Sequence, residues 1–352
     1  MISEKSDFLK VLSKKTINRI PLYCTGYPEQ QFIENYINLY NLKWNDKNRV
    51  LIQKDYNFIK QMGFDASSMW DFRRGKGGYQ LSDQLRVDAW GRIYKENWYM
   101  GDGLFKDEEI VANWNHLKLP SKSKIVTLTM LLQKYETKLD LVLTLPGLFE
   151  KTWQSMGLKY FAKCLKNNFD FIEKVANFFS KYVIKLTQLL QNAGAKIFMV
   201  ADDCGYKNRE FIPREIWRKI FFNKYLEIIK MIHEKDQKII IHSDGFISDM
   251  MDIFIDLGFD AVQSLESNAG VDIFSLFKKY QNDICFIGNL DISLLSFGTP
   301  QQVEEYVTKL IKKSRETISP LIISPTQQIN SKVNPKNIKT MIETTKKFDY
   351  KI

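Results

Sequence analysis

The chain is 352 residues long, with 44% hydrophobic and 26% charged residues, an ordinary globular balance. That excludes a disordered, collagen-like or long coiled-coil chain, and no apolar run reaches the roughly 18 residues that span a bilayer. Lys and Arg outnumber Asp and Glu by 51 to 41, a net charge of +10. The excess is spread along helical stretches, and its densest runs, Arg73-Arg74-Gly75-Lys76 and Lys312-Lys313, are short. This argues against nucleic acid as a partner. An anionic small-molecule substrate accounts for the sign equally well, as does compositional drift.

The first residues, Met1-Ile2-Ser3-Glu4-Lys5-Ser6-Asp7, carry no basic segment followed by an apolar one, so no signal peptide is read. Cys24, Cys164, Cys204 and Cys285 are scattered with no CxxC pair. Both features fit a reducing cytoplasm, and the spacing excludes a zinc ribbon or a self-contained iron–sulfur motif. No membrane association is expected.

Residues 1 to about 150 are the least regular part. Gly26-Tyr27-Pro28, Arg73-Arg74-Gly75-Lys76-Gly77-Gly78 and Asp88-Ala89-Trp90-Gly91 are loop signals, and aromatic residues are dense between Trp70 and Trp114. The part reads as the first barrel strands plus a long insertion over one barrel mouth. Residues 155 to 193 then read as mostly helical, starting near Met156-Gly157 and ending at Ala193-Gly194.

A rhythm follows. Short β-rich runs lie at Ile197–Ala201, Ile239–His242, Ala261–Gln263, Ile284–Gly288 and Leu321–Ile323. Between them, Ile216, Ile220, Tyr225, Ile228 and Ile232 mark one helix face. Met250, Met251, Phe254 and Leu257 mark a second; Phe274, Phe277 and Tyr280 a third; Val303, Val307, Leu310 and Ile311 a fourth. Gly258 is placed to end a helix, and Thr299-Pro300 and Asn334-Pro335 to begin two others. Consecutive βα units require a parallel sheet covered by helices. No GxGxxG follows an early strand, so the expected fold is α/β, a (β/α)8 TIM barrel, with 1–352 forming one domain.

In such a barrel the chemistry lies at the C-terminal ends of the strands. The positions just past the five runs are Asp202-Asp203-Cys204, His242-Ser243-Asp244, Glu266, Asn289 with Asp291, and Gln327-Gln328. Polar residues also collect there because the chain is surfacing, so each one alone weighs evenly between structure and function. His242 stands out among three histidines, since His116 and His233 fall in a loop and a helix. In extended chain His242 and Asp244 point the same way and can share one ligand or metal; against this, Asp244-Gly245 is also a turn signal. The adjacent carboxylates Asp202 and Asp203 can raise one another's pKa, hold a cation, or be neutralised by Lys207 or Arg209. A nucleophilic role for Cys204 is weakly motivated, since no histidine neighbours it in sequence.

Several short segments resemble the uroporphyrinogen decarboxylase superfamily, in order along residues 80 to 350. They are Asp88-Ala89-Trp90-Gly91-Arg92-Ile93-Tyr94, Asp202-Asp203-Cys204-Gly205-Tyr206-Lys207, Ile212-Pro213-Arg214-Glu215-Ile216-Trp217 and Ile241-His242-Ser243-Asp244-Gly245. Phe286-Ile287-Gly288-Asn289-Leu290-Asp291 with Gly298-Thr299-Pro300, and Asn334-Pro335-Lys336-Asn337, complete the set. The resemblance implies a (β/α)8 barrel and one of two activities. One branch decarboxylates uroporphyrinogen, in porphyrin biosynthesis, without a cofactor. The other moves a methyl group between a corrinoid and a thiol, using zinc held by a His-x-Cys motif and a later cysteine.

The chain departs from both branches. The decarboxylases' Arg-Gln-Ala-Gly-Arg segment has no counterpart near Pro21–Gly26. His242 matches the zinc-binding histidine, but Asp244 replaces the first cysteine, and the later cysteine falls near Gln327, where the decarboxylases carry histidine. A His242/Asp244/Gln327 set is harder and weaker than His/Cys/Cys, so the resemblance does not imply tight zinc binding. Trp153 falls where the decarboxylases place a tyrosine.

The resemblance therefore implies an enzyme of the methyltransferase-like branch, acting on a small molecule and, through it, a corrinoid or corrinoid protein. Asp202, Asp203 and His242 are its catalytic candidates. Tyr206, Lys207, Trp153, Glu266, Asn289 and Gln327 are its substrate-binding candidates, with Lys207 facing an anionic group. The alternatives are cofactor-free decarboxylation, with a carboxylate such as Asp202 stabilising a protonated pyrrole, and a barrel that only binds corrinoid or tetrapyrrole. A homodimer is compatible with the sequence.

Overall fold

The computed structural model describes residues 6–17, 19–42, 56–69 and 77–348. The basic run Arg73–Lys76 and Trp70 lie outside them. Twelve strands occur among the described residues: β1 (Tyr23–Cys24), β2 (Ala66–Met69), β3 (Gly78–Gln80), β4 (Leu85–Asp88), β5 (Arg92–Lys95), β6 (Trp98–Gly103), β7 (Asp140–Pro146), β8 (Ile197–Ala201), β9 (Lys238–Ser243), β10 (Ala261–Ser264), β11 (Cys285–Leu290) and β12 (Leu321–Pro325).

Eight of them form one parallel sheet in the spatial order β1-β2-β7-β8-β9-β10-β11-β12. A parallel bridge between Leu22 and Ile323 joins the two ends of that sheet. There the Ile323 N–H donates to the Pro21 carbonyl at 3.0 Å. With helices between successive strands, this is a (β/α)8 barrel.

The residues explain the strands. β8 is Ile-Phe-Met-Val-Ala with all five buried, because a parallel strand is covered on one face by barrel interior and on the other by helices. β9 opens on half-buried Lys238, is apolar from Ile239 through Ile241 and turns polar at His242-Ser243. The outer layer is sealed by aromatic contacts, among them Trp217 stacked on Tyr225 with ring centroids 5.6 Å apart, both on the helix Arg214–His233. One contiguous apolar cluster runs from Phe8 to Ile342.

The predicted punctuation is present. Gly258 ends the helix Met251–Leu257 at φ 89°. Thr299 and Gln302 form a reciprocal capping box on the helix Pro300–Glu316. Asn334 caps the helix Pro335–Lys346.

Two features differ from the sequence reading. The helical stretch begins at Leu148, not near Met156-Gly157. It is three helices, Leu148–Met156, Leu158–Asn167 and Phe169–Asn192. Gly157, at φ 79°, breaks the first from the second, and Asn168 caps the third.

The second concerns the irregular N-terminal part. Between β2 and β7 the chain builds an antiparallel sheet in the order β3-β4-β5-β6. This sheet leans on the helix Leu148–Met156. Tyr99 donates its hydroxyl to the Gln154 carbonyl at 2.9 Å, and Arg92 donates to Gln154 Oε1 at 2.9 Å while pairing with Asp88. Because that helix follows the C-terminal end of β7, the antiparallel sheet lies beside the same rim. No described helix is long and apolar enough to cross a membrane.

Candidate active site

β8 and β9 are hydrogen-bonded neighbours, with Ala201 opposite His242. The chain continues past both strands in parallel, so Asp203 on one loop meets Asp244 on the other. Asp203 Oδ1 accepts the Asp244 backbone N–H at 3.0 Å. Further out, Tyr206 bridges to Phe246. Gly245 permits this close run: it sits at φ 83°, and a Cβ there would lie 2.8 Å from the Gly205 carbonyl carbon.

Ligating atoms of Asp203, His242 and Asp244 lie within 4.8 Å of one another. His242 is 6% exposed, and its Nε2 is 3.7 Å from Asp244 Oδ1. On its far side Nδ1 is hydrogen-bonded to Gln263 Oε1. Ser264 donates its hydroxyl to Asp244 Oδ1 at 2.8 Å. Glu266 accepts the Gly245 N–H at 2.7 Å on one oxygen and the Gln327 amide at 2.7 Å on the other. Burial pushes the Asp203 carboxyl above its usual range; the imidazole pulls it partly back, and Glu150 and Asp244 push it further up.

The neighbouring carboxylate behaves otherwise. Asp202 is fully buried and faces outward from the barrel, onto the start of the helix Leu148–Met156. Its oxygens accept the N–H groups of Phe149 at 3.0 Å and Glu150 at 2.6 Å, and the Tyr225 hydroxyl at 2.5 Å. That hydroxyl in turn accepts the Leu148 N–H at 2.7 Å. So three amides at the helix start are satisfied by one carboxylate and one phenol. Burial raises the Asp202 carboxyl to about 7, with the Tyr225 hydrogen bond opposing it. Mutual elevation of the two carboxylates was one of three sequence expectations, beside a shared cation and neutralisation by Lys207 or Arg209; the side chains diverge instead, because adjacent residues of extended chain face opposite ways. Asp202 is placed as an anchor rather than in the cluster.

The remaining candidates are dispersed. Trp153 stacks on Phe211 at 5.1 Å, and half-exposed Tyr206 meets the Phe211 edge at 6.2 Å. The three form an aromatic row on one side of the rim. Lys207 is exposed on the turn beyond Tyr206. Asn289 is buried and faces away from the cluster: it accepts the Tyr306 hydroxyl at 2.9 Å and donates to the Leu265 carbonyl at 3.2 Å. Gln327 reaches Glu266 and not the His242 cluster, so the third member of that cluster is Asp203. Asp291 caps the helix Ile292–Phe297. The Cys204 thiol is buried and pushed well above its usual pKa by burial first and the neighbouring aspartates next. That environment suppresses the thiolate a nucleophile needs.

Gln263, Ser264 and Thr25 were not singled out by sequence. Gln263 and Ser264 sit inside or at the end of an apolar strand, and Thr25 at the end of a two-residue one. A polar residue pointing into a barrel from a buried strand was the available signal.

Comparison with known proteins follows this geometry. Residues 133–348 match the family model described as uroporphyrinogen decarboxylase. Among solved structures, a methyltransferase from Methanosarcina mazei superposes with a TM-score of 0.68 at 12% identity, covering 98% of each chain. A B12-independent methionine synthase from Shewanella sp. W3-18-1, in complex with selenomethionine, gives a TM-score of 0.46 at 13% identity over 94% of this chain and 98% of that one. The first likeness bears on the fold. No curated protein matches the chain in sequence.

Proposed function

This chain belongs to the uroporphyrinogen decarboxylase family, and on that premise we propose that it is a methyltransferase. The proposed reaction moves a methyl group between a corrinoid or other methylated donor and a thiol acceptor. Asp203, His242 and Asp244 are its working groups, and the observation that carries the reading is their convergence within 4.8 Å at the C-terminal rim. A rim site of this kind is where barrel enzymes place their chemistry.

The donor set fits a divalent cation: one imidazole nitrogen and two carboxylate oxygens, with the imidazole held from behind by an amide. It is a harder set than the two thiolates of a zinc–cysteine site, and no cysteine joins it among the described residues. When bound, the cation would lower the pKa of a thiol placed against it. The chain's own residues do the rest. As the thiol sulfur bonds to the methyl carbon, the bond from that carbon to its donor breaks and leaves its electron pair on the donor, while Asp203 takes up the proton the thiol gives up. Trp153, Phe211 and Tyr206 keep water from one side of the rim, and Lys207 faces an anionic substituent. The decarboxylase alternative called on a carboxylate such as Asp202, whose oxygens are taken by helix amides and Tyr225.

The test is methyl transfer from methylcobalamin to a small thiol, with the wild type compared with His242→Ala and Asp203→Asn, both checked for native circular dichroism. Transfer that falls at least about 100-fold in both variants supports the reading. Transfer unchanged by either substitution, or loss of carboxylates from uroporphyrinogen at an equal rate in the same preparations, overturns it.

A further inference from the structure

Gln263 lies on β10, wholly buried, and reaches across the barrel interior. Its side-chain nitrogen lies 3.1 Å from Thr25 Oγ1 and 3.2 Å from the Thr326 carbonyl oxygen. A carbonyl oxygen only accepts, so the amide nitrogen must face Thr326. The opposite orientation would set the amide oxygen against the Thr326 carbonyl at the same separation, two acceptors facing each other in a buried site. Thr25 remains consistent: it accepts from Gln263 and passes its own proton to the Pro325 carbonyl at 3.3 Å or to Ser324 at 3.0 Å.

With the nitrogen fixed, Oε1 is the atom that meets His242 Nδ1. An amide oxygen cannot donate, so Nδ1 must carry the proton. The other ring nitrogen, Nε2, then presents its lone pair toward Asp203 and Asp244.

We infer that Gln263 is a positioning residue: held by Thr25 and Thr326, it fixes His242 in the Nδ1–H tautomer and aims the Nε2 lone pair into the carboxylate cluster. The inference deepens the proposed site, resting on the reading of His242 as the nitrogen donor of that cluster. Its logic is that of an outer-shell partner, which sets both tautomer and ring orientation.

The test uses the metal-free full chain with nitrogen-15-labelled histidine, where only three imidazoles contribute, and His242→Ala assigns the signal. Two-bond proton–nitrogen correlations then show which nitrogen of His242 is protonated. The expected result is Nδ1–H in the wild type and in Gln263→Glu, whose carboxyl, protonated on the oxygen facing Thr326, keeps an acceptor oxygen against the ring. In Gln263→Met, similar in volume but unable to accept, the preference is lost and affinity for Zn2+ in calorimetry falls about 10- to 100-fold. An Nε2–H wild type overturns the inference, as does a Gln263→Met protein that keeps both tautomer and affinity. Should Gln263→Met not fold, the wild-type and Gln263→Glu spectra still decide. A wild type that shows Nδ1–H and takes up no Zn2+ removes the metal from the proposed function and leaves the tautomer assignment standing.

Discussion

Asp203 and Asp244 are joined by a hydrogen bond from the backbone N–H of the second to the carboxylate of the first, at 3.0 Å. One carboxylate thus ties the loop after β8 to the loop after β9 while keeping an oxygen for the cluster. The two duties separate by substitution. Asp203→Asn keeps an acceptor and loses the charge; Asp203→Ala loses both. Both are expected to weaken Zn2+ binding at least about 10-fold, whereas only Asp203→Ala should cost about 2 kcal/mol of stability. Calorimetry and urea denaturation measure the two effects, and an Asn variant that binds Zn2+ like the wild type removes Asp203 from the ligand set.

Asp202→Ala tests the neighbouring carboxylate as an anchor. It strands two buried amides and the Tyr225 hydroxyl, for an expected loss of about 3 kcal/mol. The prediction is a lowered denaturation midpoint with unchanged slope. An unaffected midpoint would show that the helix Leu148–Met156 is held by other contacts.

Gly147 precedes that helix at φ −72°, a conformation open to any residue. Its constraint is proximity: an added Cβ would sit 2.3 Å from the Asp202 side chain. Gly147→Ala should therefore destabilise by about 1–3 kcal/mol through overpacking. In the Asp202→Gly background most of that cost should vanish, and a double-mutant cycle in denaturant measures the coupling.

Asp140 opens β7 at the opposite rim, where burial raises its carboxyl to about 6 against a hydrogen bond from the Ser6 hydroxyl. The unfolded group titrates near 4. Between those values the folded chain holds a proton that the unfolded chain has released, so stability from this group is full below about pH 4 and is lost as pH rises toward 6. Asp140→Asn should remove that falling segment. Denaturation midpoints across this window, compared with the wild type, give the sign; an unchanged pH profile would refute it.

The barrel was legible because five buried strands carry β-rich apolar runs and the helices between them carry capping residues. β8 appears at its predicted bounds. His242 and Asp244 were legible for a related reason: alternation along one strand fixes which side chains share a face. The same alternation separates Asp202 from Asp203, yet adjacency in sequence suggested a pair. Asn289 followed an apolar strand like the others, and only the placement of Tyr306 on an outer helix shows which way it turns. Gln263 was hidden because its significance lies in partners far away in sequence. The antiparallel sheet from β3 to β6 depends on hairpin pairings between short, half-exposed strands, which leave little apolar rhythm to read.

The bridge between Leu22 and Ile323 has a temporal consequence. Thr25 and Ser324, which meet beside it, are 299 positions apart. During synthesis the first strand therefore waits, one edge unsatisfied, until β12 has left the ribosome. The Thr326 carbonyl that orients Gln263 arrives at the same late moment. Until β12 emerges, the growing chain carries an open seam and an unset histidine.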